Sequence, residues 1–391
     1  MQQPNIAKAA ADLFEWCRNS EFAGHDPFDG LNSRLFQATP LRHVGFARLL
    51  WTQLFKRSPV DLRLLALVPK GKNPKGIALF ALATLANHRR LKNEESVGQA
   101  KQLLAELLDL KLDGWSGAAW GYNFDWQSRV LYAPRGTPAI VPTAFAVRAL
   151  IEGALSFEDP VYLTTARTAC DFILNDLKRS SGPEIFFAYT PNSQTRVYNA
   201  SMLGAETLAR VGALTGEKVL FDEAVQATRH VVKQQRADGS WPYGAGANQN
   251  WVDNFHTAYL LSSLAAIIRY CEGAKEEFEE TLRFGFDFWR TSFFLADGWP
   301  KYYHDRLYPV DAHAAAAAIV TLLDFRQMSE EALPLARRIT SWSIVNLRDN
   351  SGFFFYQRRR FTTVRTPFMR WTQAWMLYAL TRLLEEEKGP N

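Results

Sequence analysis

Apolar residues recur at helical spacing in long runs along almost the whole chain, and the runs fall into two alternating sets. One set covers about 160–180, 218–235, 276–294 and 330–347; the other covers about 199–215, 254–272, 311–328 and 369–387. The second set keeps register with itself, because Asn199, His256, His313 and Arg370 follow one another at 57-residue intervals near the start of each run. Two residues later each run carries a small side chain, Ser201, Ala258, Ala315 and Thr372, as a tightly packed inner helix requires. Glycine and aromatic residues precede each run: Gly182 with Phe186-Phe187, Asp238-Gly239-Ser240-Trp241, Asp297-Gly298-Trp299, and Ser351-Gly352-Phe353. The pattern predicts repeated units of outer helix, loop and inner helix.

Asp113-Gly114-Trp115, after an outer helix at about 95–110 and before an apolar run at 141–156, adds a further copy. A divergent unit occupies about 1–92, with a helix over 6–19, a loop from Ala23 to Gly30, and apolar runs at 41–57 and 75–92. Six units of 57 residues nearly fill the 391-residue chain. The expected architecture is therefore all-α. It is one domain over 1–391, a ring of six helical hairpins with regular repeats over about 95–387 and short β-hairpin loops at one mouth. Hairpins stacked in this way bury their apolar faces only against neighbours, and closing the ring removes the exposed ends.

Composition fits a large core, with 47% hydrophobic and 13% aromatic residues. Cys17, Cys170 and Cys271 are isolated among apolar neighbours, so neither a disulfide framework nor a zinc site is expected, and no metal or cofactor is implied. The run from Ala314 to Leu323 is too short to span a bilayer. Met1 to Ser20 is amphipathic and does not read as a signal peptide, which predicts a cytoplasmic protein without a transmembrane segment. The formal net charge of +5 is mild but uneven. Lys70, Lys72 and Lys75 crowd a loop that runs into a helix, where free N–H groups and the helix dipole also favour an anion. Arg358 to Arg360, Arg365 and Arg370 form a second cluster. No recognised nucleic-acid motif accompanies the charge, so the expected partner is an acidic sugar or glycan and not nucleic acid.

Chemistry is expected where the loops meet the inner helices, because the N-termini of inner helices line one mouth of such a ring. Asn199, His256, His313 and Arg370 would converge there, with Asn254 and Asp311 as N-cap candidates. The adjoining loops mix flat aromatics with polar groups: Asp125 and Trp126 before Arg135; Trp241 and Tyr243 with Asp253; Lys301 with Tyr302, Tyr303 and His304; and Trp371 beside Arg370. Such a mixture suits sugar rings, which stack on aromatic faces while their hydroxyls require polar partners.

The segment Gln235-Arg236-Ala237-Asp238-Gly239-Ser240-Trp241 resembles the Gln-xxx-Gly-x-Trp turn of terpenoid-cyclase-like toroids. The six-unit count and loop chemistry resemble the six-hairpin, (α/α)6-barrel carbohydrate enzymes. From Ala23 onward, including Asp26-Pro27-Phe28-Asp29-Gly30, Pro300-Lys301-Tyr302-Tyr303 and Met369-Arg370-Trp371-Thr372-Gln373, the chain also resembles proteins associated with bacterial polysaccharide gene clusters. Terpenoid chemistry would need an aspartate cluster, and neither Asp-x-Asp-Asp nor Asp-Asp-x-x-Asp occurs.

Among carbohydrate reactions, hydrolysis needs two carboxyl groups flanking the bond, with Asp26, Asp29, Asp125, Asp253 and Asp311 as candidates. Elimination or C5 epimerisation of a uronate needs a base, for which His256, His313 and Tyr303 are available. Asn254 and Arg370 would hold the carboxylate. Histidine is scarce here, so the second set is the more specific signal, and it favours a lyase or epimerase acting on an anionic glycan or activated sugar. Asp253 joins the catalytic set; Asn199, Asp125, Trp126, Arg135, Trp241, Tyr243, Lys301, Trp371, Lys72 and Lys75 complete the expected binding surface. A non-catalytic glycan-binding or scaffold protein would use the same aromatic cavity, and burial of both histidines would favour it.

Overall fold

A computed structural model of the protein describes residues 4–128 and 132–388. Six inner helices form a closed ring: α4 (Pro74–Leu91), α6 (Ile140–Phe157), α8 (Tyr198–Thr215), α10 (Asn254–Tyr270), α12 (Ala312–Asp324) and α14 (Trp375–Lys388). Each packs on the next, and α14 packs on α4. Five outer helices follow their inner partners: α5 (Glu94–Asp109), α7 (Pro160–Phe172), α9 (Lys218–Val232), α11 (Ala274–Phe293) and α13 (Ala332–Leu347). The sixth is α1 (Ile6–Asn19), which packs on α14 and α13, so the two ends of the sequence complete one hairpin. This is the (α/α)6 toroid that the periodicity predicts.

The inner helices are apolar all round because each is enclosed on every side. In α12, every residue from Ala312 to Leu323 is buried, and its five consecutive alanines leave room for the neighbouring helices. The aspartate before the helix, Asp311, accepts a hydrogen bond from the His313 N–H and sets where the helix starts. Outer helices are amphipathic and bury one face. The glycine of each turn explains the repeat in part. Gly239 has φ of +90° and lies so close to α11 that an added Cβ would come within 2.8 Å of the Phe284 carbonyl oxygen. Gly352, with φ of +106°, abuts the Asp12 carbonyl of α1 in the same manner, which places α1 sixth in the outer ring. α6 alone among the described helices is long and apolar enough to cross a membrane, and 67% of it is buried in the ring.

The short strands all fall in connections that lead from an outer helix to the next inner one. They pair as β1 (Trp126–Gln127) with β2 (Tyr132–Ala133), β3 (Lys178–Ser181) with β4 (Glu184–Phe187), and β5 (Val310–Asp311) with β6 (Gln357–Arg358) and β7 (Thr363–Val364). The apolar run at 41–57 is not part of the ring. It forms α3 (Gly45–Arg57), which with α2 (Arg34–Gln37) and the segment to Val68 makes a flap over the mouth, and this flap has a small core of its own around Phe55, Ala66 and Val68.

Buried ion pairs fasten the loop before this flap to the ring and to the flap itself. Arg370 binds both oxygens of Asp26, with Nη2 to Oδ1 at 2.8 Å, and Arg63 Nε donates to Asp29 Oδ1 at 2.7 Å. Removing one member of such a pair strands the other charge in a dry site. Asp26→Asn is expected to lower unfolding free energy by about 3–5 kcal/mol in urea melts. Adding Arg370→Gln should restore part of that loss, since the stranded cation is then gone.

Candidate active site

The inner-helix N-termini open into a cavity of about 640 Å³. Asn199, His256, His313 and Arg370, the four positions spaced by 57 residues, all line it. Helix geometry accounts for this, since each sits in the first turn of an element that begins at the same mouth.

His256 is held from two directions. Asp253 is the N-cap of α10, accepting the His256 backbone N–H at Oδ1 (3.1 Å), while its Oδ2 accepts the ring Nδ1–H at 2.7 Å. Trp251 Nε1 also donates to Oδ2, at 3.0 Å. The ring lies 3.9 Å from the Phe255 ring and edge-on to Tyr243 at 4.7 Å, and Tyr243 stacks on Trp251. With Nδ1 committed as a donor, Nε2 carries the lone pair, and it has no partner among the described residues. That is the arrangement of a general base.

The floor is a buried chain of nitrogen and hydroxyl groups. Lys75 Nζ donates to the Tyr259 hydroxyl at 3.0 Å, and that hydroxyl lies 2.5 Å from His313 Nε2. Burial, with Lys75 and Arg370 nearby, pushes the His313 imidazole well below its ordinary value, so the ring is neutral and accepts from Tyr259. Burial and the Arg370 charge likewise hold the Lys75 ammonium well below the lysine range. His313 Nδ1, Asn199 Oδ1 and Trp126 Nε1 are buried on the cavity lining without partners among the described residues. Unpaired buried polar groups of this kind favour a ligand that can pair with them.

One wall is aromatic, with Phe28 edge-on to Trp371 at 5.4 Å and Trp126 packed on Tyr189 at 5.0 Å. Another comes from α3, which contributes Leu49, Gln53, Lys56 and Arg57. Neither Lys56 nor Arg57 pairs with a carboxylate among the described residues, and the Lys56 ammonium instead lies 4.4 Å from the centre of the Phe28 ring. Burial lowers the Lys56 pKa to about 8.

Not every expected residue reaches the cavity. Tyr243, Tyr303, Asp253, Trp126, Trp371 and Lys75 do. Asn254 does not: it is the first residue of α10 rather than its cap, and its side chain bridges the Lys301 carbonyl and Trp289 Nε1. Trp241 is buried against α9, donating to the Val231 carbonyl. Asp125 accepts from the Arg135 backbone N–H at 2.7 Å and braces its loop, leaving Arg135 exposed. Lys301 donates to the His304 carbonyl. Lys72 pairs with Glu106, and Asn73 caps the helix that was to bind an anion. Arg370 faces the cavity but spends its fork on Asp26. The five candidate carboxyls are each engaged, Asp311 by Trp371 Nε1, Gln357 Nε2 and the His313 N–H.

Sequence reasoning missed Lys56, Arg57, Phe28, Tyr189 and Tyr259. Tyr259 was within reach, since it stands one turn after His256 on the same helix. The α3 residues belong to no repeat and carried no such signal.

No protein-family profile matches the sequence, and no curated protein matches it. Solved structures share the fold. A cellobiose 2-epimerase from Bacillus thermoamylovorans aligns over 81% of this chain and 88% of its own, with a TM-score of 0.64 and 12% identity. An α-mannanase from Bacteroides thetaiotaomicron aligns over 80% and 86%, with a TM-score of 0.64 and 10% identity. An unsaturated glucuronyl hydrolase specific for heparin aligns over 80% and 86%, with a TM-score of 0.59 and 15% identity. These likenesses establish the (α/α)6 toroid that carbohydrate-active enzymes also use.

Burial raises the Asp311 carboxyl to about 6. An unfolded aspartate titrates near 3.9, so the folded state holds the extra proton between those values, and stability falls as pH rises through that window. The expected loss is about 2–3 kcal/mol between pH 4 and pH 7. Urea melts across that range should show it, and Asp311→Asn should remove that component of the slope.

Proposed function

We propose that this protein is a carbohydrate-active enzyme that removes the proton beside the carboxylate of a uronic acid unit in an anionic glycan or activated sugar. One observation carries the reading: His256, oriented by Asp253, presents an unpartnered Nε2 to a cavity lined by aromatic rings and cations. The cellobiose 2-epimerase, α-mannanase and glucuronyl hydrolase on the same toroid support a sugar as substrate. Similarity to proteins of polysaccharide gene clusters supports a role in polysaccharide biosynthesis.

In this scheme the His256 Nε2 lone pair takes the proton, and the electrons of the C–H bond pass into the carboxylate as an enediolate. Lys56 and Arg57 neutralise the charge that develops on its oxygens. Delivery of the Tyr259 hydroxyl proton to the opposite face of the carbon gives the C5 epimer; the Lys75 Nζ contact steadies the phenolate that remains until solvent returns its proton, and His256 releases the abstracted proton at the open mouth. Loss of the oxygen substituent on the neighbouring carbon, protonated by Tyr303 as it leaves, gives an unsaturated uronate instead. Hydrolysis by paired carboxyls is less well supported, because each candidate carboxyl is already committed to structure or to His256.

The test is incubation with uronate-containing and neutral glycans in deuterated water. Deuterium uptake by mass, or ultraviolet absorbance from an unsaturated product, is expected with the uronate substrates only. His256→Ala should reduce the rate by about 10²–10⁴ with an unchanged melting temperature. New reducing ends without deuterium uptake or absorbance would instead establish a hydrolase.

Lys56 supplies a second test. Its ammonium loses its proton as pH rises through about 8, so binding of an acidic oligosaccharide should weaken across that range. In Lys56→Met the affinity should be lower and that pH dependence absent, as read by calorimetry at constant salt.

A further inference from the structure

The flap displays apolar side chains that nothing in the molecule covers. Helix α3 has three faces. Thr52 and Phe55 are buried within the flap; Leu49, Gln53 and Lys56 line the cavity; and Phe46, Leu50 and Leu54 point outward at four-residue spacing. Phe46 is 76% exposed and Leu50 is 60% exposed. In the turn that follows, Leu64 and Leu65 are 83% and 75% exposed, although leucines of this size are usually covered in a soluble chain. Leu41, Val44, Val60 and Leu67 extend the surface.

The charge around this surface is of one sign. Between residues 34 and 72 the sequence has eight lysines and arginines against a single aspartate, Asp61, a net of +7 where the whole chain carries +5. The rest of the protein is therefore slightly acidic. Arg34, Arg42 and Lys70 are exposed in the same segment as the leucines. A second copy of this chain would bring the same positive surface against itself, which opposes an isologous pair.

We propose that this face docks on an anionic membrane surface. Exposed leucine and phenylalanine side chains enter the boundary between headgroups and acyl chains, and the surrounding arginines and lysines meet the lipid phosphates. The attachment is peripheral, because the one helix among the described residues that is long and apolar enough to span a membrane lies within the ring. A single helix, α3, presents the docking face on one side and a cavity wall on the other. The bound membrane then lies about 10 Å from the cavity, the width of a helix.

Co-sedimentation of the full chain with vesicles tests this independently of any activity. Vesicles of phosphatidylcholine are compared with vesicles containing about one third phosphatidylglycerol, at low and at physiological salt. Binding to the anionic vesicles should exceed binding to the neutral ones by more than tenfold and should weaken with salt. Each arginine reversed should weaken binding by about fivefold or more, as the attraction per basic residue implies. The variants are Arg34→Glu with Arg42→Glu for charge, and Phe46→Ser with Leu50→Ser and Leu64→Ser for insertion. All five positions are exposed and outside the cavity, and melting curves confirm that the variants fold. Loss of vesicle binding in both sets, with melting unchanged, supports the proposal. Absent or equal binding to the two vesicle types overturns it. So does self-association of the wild type in sedimentation that Phe46→Ser with Leu50→Ser and Leu64→Ser abolishes, which would assign the face to a second copy.

Discussion

The ion pair between Asp26 and Arg370 joins positions 344 residues apart, and the geometry of the mouth depends on it. On one side it fixes the loop that carries Phe28 and, through Asp29 and Arg63, the flap that supplies Lys56. On the other it fixes the start of the last inner helix, and with it Trp371. Because Asp26 and Arg370 are both buried, desolvation offsets much of their attraction, and the pair contributes more to a unique arrangement than to net stability. Arg370 also lies over the Tyr122 ring at 5.2 Å, so the same guanidinium orders the aromatic wall.

Burial decides which groups of the cavity carry charge. His313 and Lys75 are held away from their cationic forms, Asp311 away from its anionic form, while His256 stays open to the mouth beside an oriented carboxylate. One imidazole is thereby the accepting end of a buried chain and the other is accessible to a substrate. Two histidines at equivalent positions in successive repeats have been given different work by their surroundings.

Much of the toroid was legible because its signal is local and repeated. The apolar runs, the small residue two places after each of the four spaced positions, and the glycine turns each reflect contact with a neighbouring repeat, and most inner and outer helices fall within a few residues of their expected spans, except that α7 ends at Phe172, short of the expected 180, and α14 starts at Trp375, after the expected 369. The convergence of Asn199, His256, His313 and Arg370 followed from the same register. Pairings across the ring were not legible. Nothing near Arg370 in sequence announces Asp26, and nothing near Lys72 announces Glu106, so both cations read as free. Asn254 and Asp253 are adjacent residues with similar capping tendencies, and only the position of Lys301 and Trp289 decides between them. The flap lay outside the repeat altogether, and its apolar run could not be told from a ring helix by periodicity.

The closing hairpin joins the earliest helix among the described residues, α1, to the last helix of the ring, α14. α1 is made before every helix of the ring, yet the helix it covers, α14, is the last ring helix made. While the five ring helices between them are made, α1 therefore waits without its partner, and the apolar flanks of α4 and α12 stay open where α14 will fit. Sequence-distant closure of this kind makes folding slow and leaves the nascent chain prone to misassembly. The cavity shares this schedule, because Arg370 and Trp371 directly precede the last ring helix, so the site stays unfinished until that segment has left the ribosome.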